Sequence, residues 1–144
     1  MLTALRARRR PLLGIAGAVI VLAALAGCST SVSHPVDDYK GEPKGVVPPA
    51  SSAGGAAYAV WLKSGAQFAI VLYGSSTCPP TVATVETIAS NQLKATPAPI
   101  ADGVCTRDYA PHTTVFTTPR SVTTTSDVTI KLPDSTLTLP GIRG

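Results

Sequence analysis

The sequence contains few of the side chains from which metal and redox sites are built. It has two histidines, His34 and His112, a single methionine, Met1, and three cysteines among 144 residues. Zinc and copper sites take most of their ligands from histidine, cysteine and methionine, or from clustered carboxylates. The acidic residues of this chain form no such cluster. The sequence therefore predicts no metal site and no cofactor.

Motifs for catalysis are missing as well. Ser75 or Ser76, His112 and Asp108 supply the residue types of a serine hydrolase, which needs a nucleophile, a base and an orienting acid. The serines lie in GSST (74–77), which lacks the G-x-S-x-G turn. We interpret His112 as a surface histidine beside a turn. No Gly-rich loop links a strand to a helix, so nucleotide binding has no support. The sequence predicts no catalytic residue.

The formal net charge of +4 comes from the start of the chain. Four of the 12 basic residues lie in MLTALRARRR (1–10), which contains no acid. Beyond it remain 12 − 4 = 8 basic residues and all 8 acidic residues, so the net charge there is zero. Without a basic patch the chain lacks the electrostatic signature of a nucleic-acid-binding protein.

The N-terminal 27 residues have the layout of an export signal. The basic segment is followed by PLLGIAGAVIVLAALAG (11–27), which carries no charge. A basic stretch, an apolar stretch and small residues before a cut are typical of a secretory signal peptide, and the positive charge orients it with its C-terminal end outward. The alternative is an uncleaved membrane helix, for which 17 uncharged residues are near the lower limit.

The tetrapeptide Leu25-Ala26-Gly27-Cys28 resembles the lipobox of bacterial lipoproteins. The resemblance implies cleavage between Gly27 and Cys28 and attachment of a diacylglyceryl group to the thiol of Cys28. Two acyl chains suffice for stable anchoring. We therefore expect the protein to bind the membrane through the lipid on Cys28 and to lie at the outer face of the plasma membrane.

Residues 28–56 are predicted to be a flexible linker behind the lipidated cysteine. The stretch STSVSHPVDDYKGEPKGVVPPASSAGGA (29–56) is rich in Ser, Pro and Gly and contains only scattered valines. Such a composition buries too little apolar surface to offset the entropy of ordering the chain. His34 and the acids at 37–38 are accordingly interpreted as solvated.

Residues 57–144 are predicted to form an all-β domain, a small antiparallel β-sandwich of immunoglobulin-like or related type. Short β-branched runs alternate with turn formers along this region, as is typical of such folds. The predicted strands are 58–62, 67–73, 81–89, 92–99, 104–109, 113–118, 127–132 and 135–139. In segment 81–89 the apolar spacing also fits a helix, but its threonines favour a strand.

Cys78 and Cys105 are left as a pair once Cys28 carries lipid. An even pair in an exported domain predicts a disulfide. The surrounding GSSTCPPT (74–81) and DGVCTRDYAPHT (102–113) are similar to stretches of small actinobacterial lipoproteins with a GSSxCP…C core. That resemblance implies a shared β-fold and no particular activity.

These observations predict a non-catalytic binding, accessory or structural module of the cell envelope, with an envelope protein or cell-wall component as partner. The alternatives are a cell-envelope enzyme or a thiol redox protein, and an accessory subunit of a transporter or sensor. Two free thiols besides Cys28 would favour the redox protein, whereas a disulfide favours the structural interpretation.

Overall fold

The computed structural model of the protein describes residues 31–144, so the predicted signal peptide, the lipobox and Cys28 lie outside the described residues. These described residues contain nine strands: β1 (Val32–Ser33), β2 (Asp37–Lys40), β3 (Tyr58–Leu62), β4 (Gln67–Gly74), β5 (Val82–Ala89), β6 (Gln92–Pro97), β7 (Ala110–Thr117), β8 (Val128–Lys131) and β9 (Thr136–Leu139). Two single 3₁₀ turns, Ala50–Ser52 and Lys63–Gly65, complete the regular structure. No helix within 31–144 is long and apolar enough to cross a membrane.

The strands form two sheets. One has five strands in the order β1-β5-β6-β8-β9, and the other has four in the order β2-β7-β4-β3. All pairings are antiparallel except that of β6 with β8, which is parallel. The predicted all-β fold is therefore confirmed, with one parallel pair in place of a wholly antiparallel arrangement.

A single hydrophobic core lies between the two sheets, which makes the fold a sandwich. The four-stranded sheet contributes Phe68, Ile70 and Phe116, and the five-stranded sheet contributes residues such as Leu93 and Ile130. All five side chains are 1% exposed or less. Period-two alternation brings these side chains to the inner faces, because successive residues of a strand point to opposite sides.

Seven of the eight predicted strands are present with bounds close to those expected. The ambiguous segment 81–89 is a strand, β5. The exception is 104–109, which forms no strand and is exposed throughout. Thr106 and Asp108 in this stretch hydrogen-bond to the β4–β5 connection at residues 75–77 instead of pairing with a neighbouring strand.

The prediction that the linker extends to residue 56 is wrong for the part the structure describes. Strand β1 pairs with β5 in one sheet, and β2 pairs with β7 in the other. Residues 41–56 then cover the outer face of the four-stranded sheet, where Tyr58, Val71 and Thr113 are at most 3% exposed. A composition poor in apolar residues indicates only that a segment cannot form a core of its own. This segment adds its few apolar groups to an existing sheet and therefore needs no separate core.

The two ends of the sandwich differ in what they contain. At one end, named here the anchor pole, Ser31 accepts a hydrogen bond from the N–H of Thr87, close to the turn at 90–91. At the other end, the loop pole, β6 ends at Pro97 and β7 begins at Ala110. The first described residue and the connection 98–109 therefore lie at opposite ends of the domain.

Candidate binding site at the disulfide-anchored loop

The connection from β6 to β7, residues 98–109, is named here the disulfide loop. Cys105 in this loop is bonded to Cys78 in the β4–β5 connection, with 5.4 Å between their Cα atoms. The predicted disulfide is confirmed. Cys78 is 8% exposed, whereas Cys105 lies at the surface. The bond thus ties an exposed loop to a buried point of the scaffold.

A network of hydroxyl groups reinforces this attachment. Ser75 Oγ accepts the backbone N–H of Cys78 at 3.2 Å and lies 2.9 Å from Thr106 Oγ1. The backbone N–H of Thr106 donates to Thr77 Oγ1 at 3.0 Å. The part of the loop that follows Cys105 is therefore held to residues 75–77 of the β4–β5 connection.

Asp108 adds a charged contact to the same connection. Its Oδ1 accepts the backbone N–H of Ser76 at 3.0 Å and the hydroxyl of Thr106. Hydrogen bonds from Ser76 and Thr106 to the ionised carboxylate lower the pKa of Asp108 to about 2. The carboxylate is consequently charged over the whole physiological range.

Tyr109 fixes the C-terminal end of the loop. Its ring stacks on Tyr73 with centroids 5.5 Å apart, and its hydroxyl donates to the carbonyl of Gly55 at 2.9 Å. Tyr73 in turn donates to the carboxylate of Glu42. Burial and the neighbouring Glu42 raise the pKa of Tyr73 to about 12. The covering segment 41–56 therefore supports the loop as well as the sheet.

Between these fixed points the loop exposes apolar side chains. Val104 is 98% exposed and Ile100 is 67% exposed. No backbone–backbone hydrogen bond of the described chain involves residues 99–108. The loop therefore keeps main-chain donors and acceptors, as well as apolar side chains, available to a partner.

The residues considered for a serine hydrolase lie at or beside a cleft next to the loop, but they do not form the hydrogen-bonded series of a catalytic triad. Ser75, Ser76 and His112 line a cleft of about 220 Å³ beside the loop. Asp108 binds the backbone of Ser76, and both serine hydroxyls contact Thr106. Within residues 31–144 no hydrogen bond joins either serine to His112.

The partner of His112 is Asp38, which the sequence analysis assigned to the linker. Nε2 of His112 lies 2.7 Å from Oδ1 of Asp38, and Thr114 donates to Oδ2 at 3.2 Å. His112 is 5% exposed, so its interpretation as a surface histidine is wrong. It lies in β7 and faces inward beside the paired strand β2.

No group of three or more His, Cys, Asp or Glu residues that could hold a metal ion occurs in the part of the chain the structure describes. The contacts of Thr106, Asp108 and Tyr109 were not foreseen from the sequence. The one available signal was the density of Ser, Thr and Asp in GSST and CTRD, which are residues that favour local side-chain-to-backbone bonds.

Comparisons of the chain with protein-family models, with curated proteins and with solved structures find no match.

Proposed function

We propose that this protein is a lipid-anchored module of the cell envelope, without catalytic activity, that binds a partner protein through the disulfide loop. The lipid would be carried by Cys28 at the outer face of the plasma membrane. The observation that carries the proposal is an exposed loop held by a covalent bond and a hydroxyl network, at the end of the domain opposite to the first described residue.

The short chain between Cys28 and the first strand supports an orientation in which the anchor pole faces the membrane. Strand β1 begins at Val32, four residues after Cys28. A chain spans at most about 3.3–3.6 Å per residue, so the anchor pole would lie within roughly 14 Å of the lipid attachment point. The domain would therefore rest close to the membrane, and not on the long spacer that the linker prediction implied.

The length of the strands determines how far the loop would lie from the membrane. β7 has 8 residues between the loop pole and the anchor pole, which corresponds to roughly 26 Å at about 3.3 Å per residue. The disulfide loop would face the wall layer or the extracellular space, where a partner has access.

The composition of the loop fits a protein partner. Val104 and Ile100 are large apolar side chains in solvent, and they are accompanied by Asp102 and Arg107. Apolar side chains surrounded by polar ones are common at protein–protein contacts. Because residues 105–109 of the loop are already held by their attachments, binding would cost less conformational entropy there than ordering a flexible segment.

The test is site-specific photo-crosslinking in intact cells that produce the full-length protein. A photoreactive residue at 104 should give a discrete crosslinked product. The matched control is position 47, because Val47 is also highly exposed at 88% but lies outside the loop. Equal products from both positions, or none from 104, would contradict the proposal.

A further inference from the structure

We infer that the disulfide loop is an inhibitory loop for a serine protease with an acidic specificity pocket, and that Arg107 is the side chain that enters the pocket. The inference rests on the proposed function, since it names the partner class of the same loop. It comes from the way residues 105–109 are held in the structure.

Arg107 is the one residue of this stretch without an attachment among the described residues. Cys105 is bonded to Cys78, Thr106 donates its N–H to Thr77, and Asp108 accepts the N–H of Ser76. Tyr109 stacks on Tyr73. The Arg107 side chain is exposed and forms no hydrogen bond or ion pair within residues 31–144. Fixed neighbours thus present a single free cationic side chain.

That arrangement matches how serine proteases with an aspartate in the specificity pocket bind a peptide. Such a pocket accepts one Arg or Lys side chain, and the flanking main chain lies against the protease. An arginine can bind the pocket carboxylate through two parallel hydrogen bonds. Apart from the N–H of Thr106, which donates to Thr77, the main-chain groups flanking Arg107 make no backbone–backbone hydrogen bond within residues 31–144, so they are available for these contacts.

The attachments favour an inhibitor over an ordinary substrate. In substrate cleavage the protease serine would form an ester with the Arg107 carbonyl carbon, the Arg107–Asp108 C–N bond would break, and the serine proton would pass through the protease histidine to the Asp108 amine. Here Asp108 is held by Ser76 and Thr106. The amine therefore stays beside the acyl carbon, so re-formation of the peptide bond competes with attack by water.

Preorganisation also supports tight binding. The loop is already fixed by the disulfide and its hydrogen bonds, so little conformational entropy is lost on association. Protease–inhibitor pairs of ordinary interface size are among the tightest protein complexes known. A central arginine is a typical energetic hot spot in such an interface.

The test uses trypsin, as a protease with an acidic pocket, and the full-length protein in mild detergent. Hydrolysis of a small arginine substrate should be inhibited competitively. Arg107→Ala should raise the inhibition constant by at least about 30-fold, the effect of a hot-spot side chain. Arg107→Lys should retain inhibition. The matched control is Arg120→Ala, because Arg120 is also exposed but lies in the connection after β7.

Mass spectrometry of the mixture separates inhibitor from substrate. The Arg107–Asp108 bond should remain mostly intact during inhibition and should be cut readily in a Cys78→Ser/Cys105→Ser variant. Absence of inhibition, rapid turnover at this bond in the native protein, or an equal loss of inhibition in Arg120→Ala would overturn the inference. The crosslinking result at position 104 does not depend on trypsin, so it reports on the proposed function separately.

Discussion

Nε2 of His112 lies 2.7 Å from Oδ1 of Asp38, although the two residues are 74 positions apart in the sequence. Because a carboxylate can only accept, the imidazole N–H is the donor. The bond links the side chains of two paired strands, β2 and β7. In the backbone pairing of these strands His112 lies opposite Lys40, so the contact with Asp38 is diagonal. It fixes β2, an edge strand of the four-stranded sheet, to the neighbouring strand β7.

Removing this carboxylate should destabilise the whole domain. Asp38→Ala leaves the buried His112 N–H and the Thr114 hydroxyl without their acceptor, which should lower the free energy of unfolding by about 1–2 kcal/mol. Denaturant unfolding of the full-length protein measures this. Asp37→Ala is the control, because Asp37 is exposed and accepts only the N–H of Asp38. If both variants unfold like the native protein, β2 is not part of the stable fold.

Loss of the disulfide should have a larger effect. Cys78 and Cys105 are 27 positions apart, and closing a loop of that length is worth about 3–4 kcal/mol in the chain-entropy model. The Cys78→Ser/Cys105→Ser variant should therefore melt at a temperature lower by on the order of 10 °C or more. Reduction of the native protein should produce the same shift. A melting curve unchanged by both treatments would show that the bond does not stabilise the domain.

The carboxylate of Asp108 should make stability depend on pH in the acid range. Hydrogen bonds from Ser76 and Thr106 lower its pKa to about 2 in the folded protein, compared with about 3.9 in an unfolded chain. Between these values the unfolded chain binds a proton that the folded protein does not, so the stabilisation is present above about pH 4 and is lost as the pH falls to about 2.

The difference in unfolding free energy between the native protein and Asp108→Asn should accordingly shrink across that interval. Asp102→Asn, which changes an exposed acid of the same loop, is the matched control. Urea unfolding at a series of acid pH values provides the measurement. If the difference in unfolding free energy between the native protein and Asp108→Asn stays constant down to about pH 2, the ionised Asp108 does not stabilise the fold.

The covering segment offers a test with a closely matched pair of glycines. Gly54 and Gly55 both have positive φ, +77° and +82°, so alanine at either costs about 1–2 kcal/mol of backbone strain. A Cβ at Gly55 would also lie 2.7 Å from Tyr109 Cε1, whereas nothing lies within 4 Å at Gly54. Gly55→Ala should therefore be the more destabilising change and should alter the near-ultraviolet circular dichroism of the tyrosines. Equal effects would mean that Tyr109 does not pack there.

Much of the fold could be predicted because the positions of strands and turns follow from short stretches of sequence. Alternating apolar residues, as at Phe68 and Ile70, indicate strands, and turn formers mark their ends. The attachment of β2 could not be predicted, since it depends on a partner at His112 far along the chain. The exposed stretch 104–109 has the composition of a strand, but Thr106 donates its N–H to the hydroxyl of Thr77 and Asp108 accepts the backbone N–H of Ser76. Propensity carries no information about such tertiary contacts.

We propose, as the central point, that the disulfide loop lies at the end of the domain remote from a lipid on Cys28. It is tested most directly by energy transfer from a fluorophore to acceptor-labelled lipid headgroups, with the lipidated protein in vesicles. A new cysteine from Ser90→Cys or Val104→Cys is labelled selectively, because Cys78 and Cys105 are bonded to each other and Cys28 would carry lipid. We expect strong transfer from position 90 and weak transfer from position 104, which would lie roughly 25 Å farther from the bilayer. Equal transfer from the two positions, or stronger transfer from 104, would contradict it.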